Sequence, residues 1–250
     1  MPGRSGATYR ERMTSVRQIT VPACLCAAAY GLFIRPRLLR WGATAAEVHD
    51  TYRGAELIPG GQRTATMAVT IDAPRSRVWP WLVQMGFNRA GWYSWDRLDN
   101  RGIPSADRIH PEWQDVSVGD HLPATSSGQT WFEIAALEPE RFLALRSALD
   151  LRRGRSFDTN GKWPRFCSYS TWCFLLDELP GRRTRLVVSG YARSNPRPLT
   201  AILDVVFWEP VHWLMQTRQF AILRRRAERD LQPAADNSLL ADAAVPAAVR

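Results

Sequence analysis

Lysine is almost missing from this chain: among its 33 basic residues and 250 in all, Lys162 alone is lysine. Arginine richness is thus a habit of the whole sequence, and a formal charge of +9 is no nucleic-acid footprint by itself. Residues 1–60 carry eight Arg against four acids and residues 218–230 five against two, leaving only +2 elsewhere. The nearly neutral centre argues against nucleic acid as a partner and leaves the terminal charges to solvent or a membrane face. Cysteine is scarce and unpatterned, with four residues and no CxxC pair. Cys167 and Cys173 would lie ~20 Å apart on one strand, too far to bridge. The four histidines, 49, 110, 121 and 212, show no HExxH spacing. No metal and no cofactor is therefore expected.

Long apolar runs are also scarce. QITVPACLCAAAYGLFI, residues 18–34, has no charge; as a helix it spans ~25 Å, marginal for a bilayer. We read residues 1–18 as a basic N-terminal segment and 19–34 as an apolar helix and candidate single-pass membrane anchor, making the protein membrane-associated. A buried helix in a cytoplasmic protein is the alternative. Residues 35–61 form a connector in which Thr44 and Glu47 make a capping box. Pro59, Gly60 and Gly61 close it before a main domain at 62–230, and the Ala-rich tail 231–250 is expected to be disordered.

Within the main domain, ATMAVTID alternates as a strand, and Asp72-Ala-Pro74 supplies a cap for a helix ending at Gly86. Residues 87–130 are irregular and rich in Gly, Pro, Asp and Ser, a length of loop that is uncommon without a function. Strand patterns follow at 130–137, 142–149, 168–179 and 184–192, with Glu138-Pro139-Glu140 and Leu179-Pro180-Gly181-Arg182 short enough for hairpins. After Asn195-Pro196 an apolar stripe at 199, 202/203, 206/207, 211, 214/215 and 222 predicts a long helix, bent by Pro210 near Val206. The expected class is α+β: a curved antiparallel sheet wrapped around one C-terminal helix, with a cavity between them.

This order and several stretches resemble the START/polyketide cyclase-like superfamily (SRPBCC, the helix-grip fold). The stretches are IDAPRSRVWPWLVQMG (71–86), GWYSWDRLDN (91–100), SADRIHPEWQDVSVGD (105–120), Trp172-x-Phe174-x-Leu176 with Thr184-Arg185-Leu186, and EPVHWLMQTRQFAILRRRAE (209–228). RWGAT (40–44) resembles an N-terminal extension of one bacterial branch. The resemblance implies a deep apolar pocket for a lipid, sterol, polyketide or other hydrophobic ligand. Some members are aromatases or cyclases and many only bind. Where related sequences tend to place Arg on the last strand, this chain has Ser189 and Tyr191.

Candidate residues follow from these elements. Asp96, beside Trp92, Tyr93 and Trp95, is either a proton acceptor or the cap of a short helix in a loop held down by its own rings. His212, with Trp208 at i−4 and Met215 at i+3, either projects into the cavity or meets a backbone carbonyl. Strand residues Trp131, Arg146, Trp172, Phe174 and Tyr191 complete the expected ligand contacts, with Trp95, Trp208, His212 and Met215 beside them. Arg146 faces either water or an anionic head group. The reading adopted is a binding protein or carrier for a hydrophobic small molecule. The alternative is a cyclase, aromatase or dehydratase moving protons through Asp96 and His212.

Overall fold

The computed structural model describes residues 25 and 27–229. The basic segment 1–18, residues 19–24 and Cys26 of the predicted apolar helix, and 230–250 with the tail lie outside the described residues. The strands are β1 (Gln62–Arg63), β2 (Met67–Ile71), β3 (His121–Pro123), β4 (Trp131–Glu138), β5 (Phe142–Asp150), β6 (Arg155–Ser156), β7 (Cys167–Leu179), β8 (Arg183–Ser189) and β9 (Tyr191–Asn195). The helices are α1 (Arg35–Leu39), α2 (Ala45–His49), α3 (Arg75–Val83), α4 (Asp96–Asp99), α5 (Arg197–Leu203) and α6 (Glu209–Glu228). They build the α+β helix-grip arrangement, one antiparallel sheet folded around α6.

The long strand β7 is the spine of the sheet. One flank pairs with β5, and β5 pairs in turn with β4 and β4 with β3. Along the other flank, Cys173–Leu179 pair with β8 and Cys167–Ser170 pair with β9. The chain changes from β8 to β9 at Gly190, where a Cβ would fall 2.0 Å from the Thr171 carbonyl oxygen. Only glycine permits that approach. Both predicted hairpins form, at 138–142 and 179–183.

The two faces of the sheet are covered differently. Inward, Met67, Ile71, Ile134, Leu143, Leu145, Phe174, Leu176, Leu186 and Val188 pack with Val78 and Leu82 of α3 and with Phe220 and Leu223 of α6. Outward, Ala144, Tyr169, Cys173, Val187 and Tyr191 pack under Tyr52 and Ile58 of the connector. Thr44 and Glu47 form the expected capping box. Glu47 also takes a two-pronged ion pair from Arg185, at 2.7 and 2.8 Å, which holds its carboxyl below the usual range. Cys167 and Cys173 are both free and buried, as their spacing required.

Two expectations about helices are corrected. Asp72 does not cap α3: Pro74 occupies the N-cap, and Asp72 instead faces Arg224 at 3.7 Å. The C-terminal helix is not one apolar stripe against the core, because Ile202, Leu203, Val206, Phe207 and Trp208 are exposed. Pro210 does disturb it as predicted, and the result is a π-turn at Asp204–Trp208 between α5 and α6. At the other end of the chain, residues 27–39 are helical and carry a second π-turn at Tyr30–Ile34. Among the described residues no helix is long and apolar enough to cross a membrane. Of the predicted anchor at 19–34, only residues 25 and 27–34 are described.

Candidate functional site

The inner face of the sheet packs against one stripe of α6, and aromatic side chains fill one end of that contact. At the filled end the aromatic rings of Trp92, Phe132, Trp172 and Phe174 touch in sequence, with centroids 5.3 Å apart for Trp92–Phe132, 5.9 Å for Phe132–Trp172 and 4.8 Å for Trp172–Phe174. Those edge-on and tilted contacts suit the ring quadrupoles. Two buried glutamines of α6 lie against this cluster and make one continuous line of donors. Trp172 Nε1 donates to Gln216 Oε1 (3.0 Å), Gln216 Nε2 to Gln219 Oε1 (2.8 Å), and Gln219 Nε2 to the Trp92 carbonyl (2.9 Å). Each buried amide is thereby satisfied, and the line joins sheet, helix and loop 87–95.

One turn further up the same stripe sits His212, four residues before Gln216. Its ring is surrounded by protein, which holds the imidazole down at about 4, yet the residue still meets solvent. No hydrogen bond to His212 is formed among the described residues, so a neutral imidazole keeps one donor and one acceptor free.

The wall opposite follows from register. Leu145 and Trp172 point inward, so two and four residues on, Ser147, Leu149, Ser170 and Ser168 do too, with Ala192 and Ser194 paired beside them. These positions are only half-buried. The charged neighbours on these strands turn to the other face: Arg146 pairs with Glu133 at 2.6 Å, and Arg193 lies over the Trp163 ring.

The predicted residues therefore divide. Trp172 and Phe174 face the helix, and His212 and Met215 are half-buried on α6. Arg146, Trp131 and Tyr191 are corrected: alternation places all three on the outer face. There Arg146 meets Glu133, Trp131 stacks on His121 at 5.1 Å, and Tyr191 donates to the Tyr52 carbonyl at 2.7 Å. Trp131 instead borders an open groove of about 470 Å³ with Asp150, Arg155 and Lys162, which includes no residue of α6. Trp208 is exposed and lies against Phe207.

The segment GWYSWDRLDN forms a plug, with α4 as its short helix. Trp92 and Tyr93 are buried, and Tyr93 sits at φ 56 with its hydroxyl accepting from Gln84 Nε2 at 2.7 Å. The Arg226 guanidinium covers its ring at 4.8 Å, and Ser94 and Trp95 donate to carbonyls of Met215 and Leu214. Trp95 itself is largely exposed beneath Arg218. Asp96 is turned into its own loop, where Oδ1 accepts the Ser105 N–H and hydroxyl. It shares no hydrogen bond with His212, so the structure does not assemble the proposed proton-moving pair. Gln216, Gln219 and Arg226 were missed, although two glutamines three apart inside an apolar helical stripe were the available signal.

Solved structures similar to this chain include a protein from Arthrobacter aurescens, at 15% identity over 75% of this chain and 94% of that one with a TM-score of 0.38. The Polyketide_cyc-like protein Cgl2372 from Corynebacterium glutamicum is similar at 14% identity over 72% of this chain and 99% of that one, TM-score 0.34. CalU16 from Micromonospora echinospora is similar at 17% identity over 69% and 88%, TM-score 0.33. No family model matches the chain, and no curated protein matches it.

Proposed function

We propose that this protein binds an uncharged hydrophobic small molecule, of lipid or polyketide-like size, in the cleft between α6 and the open end of the sheet. The single observation that supports this is His212, neutral, without a hydrogen bond among the described residues and one helical turn before the Gln216 that meets Trp172 of the sheet. Two cations of the neighbouring strands that could neutralise a carboxylate or phosphate, Arg146 and Arg193, lie on the far face. One polar contact to His212 would orient a ligand whose remaining surface meets rings and CH groups. A carrier is favoured over an enzyme because Asp96 is engaged by Ser105.

Native mass spectrometry of the full chain, with lipid extraction, tests the reading. A co-purifying neutral apolar compound, displaced in the variant Ser170→Trp, supports it; Ser170 is only half-buried, so the larger ring fills the cleft without disturbing the core. Equal recovery from Ser170→Trp at unchanged melting temperature overturns it.

A further inference from the structure

We propose that the apolar helices at 27–34 and 202–208 form one docking surface that lies in the interfacial layer of an anionic lipid bilayer without crossing it. Leu32 and Val206 are 70% and 72% exposed, and Leu25, Phe33, Ile34, Ile202, Phe207 and Trp208 are exposed around them. A helix packed on a protein core directs such residues inward and polar ones outward, so a contiguous apolar face turned to water marks a contact surface.

The two limbs are fixed to one another. Tyr30 donates to the Val205 carbonyl at 3.1 Å, and Arg35 grips Glu209 with both prongs at 2.6 and 2.8 Å. The contacts advance together along both segments, so the helices lie side by side and run in the same direction. Together they present a broader apolar face than either alone.

Charge decides the occupant. Residues 25–40 and 197–209 hold Arg35, Arg37, Arg40 and Arg197 against Asp204 and Glu209, and both acids are ion-paired. Arg37 and Arg40 are exposed beyond those pairs. A second copy meeting this surface would oppose like charges, whereas an anionic headgroup layer neutralises them. Trp208 and Tyr30 add the amphipathic rings that prefer that layer. Spanning is excluded for the described helices by their length and composition. The uncharged sequence continues back to Gln18, behind Arg4, Arg10, Arg12 and Arg17, extending the same apolar and cationic pattern.

The test is flotation of the full chain with vesicles of phosphatidylcholine alone and of phosphatidylcholine with an equal part of phosphatidylglycerol. Binding to the mixed vesicles, weakened by salt and reduced about tenfold or more in Val206→Asp and in Leu32→Asp, is expected from the apolar area each loses. Val118→Asp, at an exposed apolar site outside both limbs, serves as the control and should float as the parent does. Both surface variants replace side chains already in water, so circular dichroism should show an intact fold. Absence of flotation on the mixed vesicles overturns the proposal. So does a dimer in light scattering that Val206→Asp dissociates, or capture of residues 1–24 in lipid-free protein by a photoreactive phenylalanine analogue at position 206.

Discussion

The Tyr30 hydroxyl donates to the carbonyl of Val205, 175 residues away, and that carbonyl is one the helix cannot satisfy by itself. In the π-turn the Glu209 N–H bonds to Asp204, five residues back. Val205 would then look to residue 210, a proline with no N–H to give. The same arrangement occurs at Tyr30–Ile34, which stands at the same distance before Pro36 as Asp204–Trp208 does before Pro210. Each proline widens the turn behind it.

Tyr30→Phe should therefore strand a polar group, lowering stability by about 1–2 kcal/mol. Hydrogen exchange over residues 204–209 should accelerate. A variant exchanging at the parental rate would show that water replaces the hydroxyl without loss.

Gly190→Ala drives a methyl group into the Thr171 carbonyl, 2.0 Å from the position a Cβ would take. Backbone on both sides must move, and the β8-to-β9 crossing sits at the spine of the sheet. We expect a loss of about 3 kcal/mol or failure to fold, read by chemical denaturation. A melting temperature within a degree or two of the parent, in ~1 kcal/mol terms, would mean the strands separate more easily than this geometry implies.

Gln216→Met keeps the volume but removes the acceptor for Trp172 Nε1 and the donor for Gln219. Two buried polar groups are left unsatisfied, which should cost about 2–4 kcal/mol in denaturant unfolding. The double variant with Trp172→Phe should recover part of that loss, because the stranded indole N–H disappears with it.

Two groups make opposing acid responses. His212 is held from 6.5 to about 4 by burial, so between those values the unfolded chain binds more protons and stability falls as pH falls. Asp99 is raised from 3.8 to about 6 by burial and by the charge of Asp96, so across its window the folded chain binds more protons and stability rises as pH falls. Melting curves should show His212→Gln less sensitive to acid than the parent and Asp99→Asn more sensitive. Parallel curves for all three proteins would refute both assignments.

Much of this architecture is legible in the residues because it depends on local chemistry. The capping box at Thr44, the hairpins at Pro139 and Pro180, and the disturbance before Pro210 each follow from one or two side chains. The division of the sheet into faces was harder. Trp131 and Arg146 lie on strands with apolar side chains on both faces, and Tyr191 opens a short strand under the connector, which covers the outer face as α6 covers the inner one. Two buried faces erase the alternation that would have told Tyr191 from Ala192. The apolar residues at 202–208 misled for a related reason, because helical periodicity reports a shared face and not what covers it. Gln216 and Gln219 become intelligible only when Trp172 and the Trp92 carbonyl are brought to them by distant strands.

The strap over the outer face has a practical consequence. The Tyr52 hydroxyl sits 3.0 Å from the carbonyls of both Cys173 and Val187, and Arg63 reaches the carbonyls of Glu47, Val48 and Asp50. A shortened protein beginning at Gln62 would undress Ala144, Cys173 and Val187, giving a greasy slab prone to self-association. Expression of such a fragment should end in inclusion bodies, while one starting ahead of Leu39 should stay dispersed.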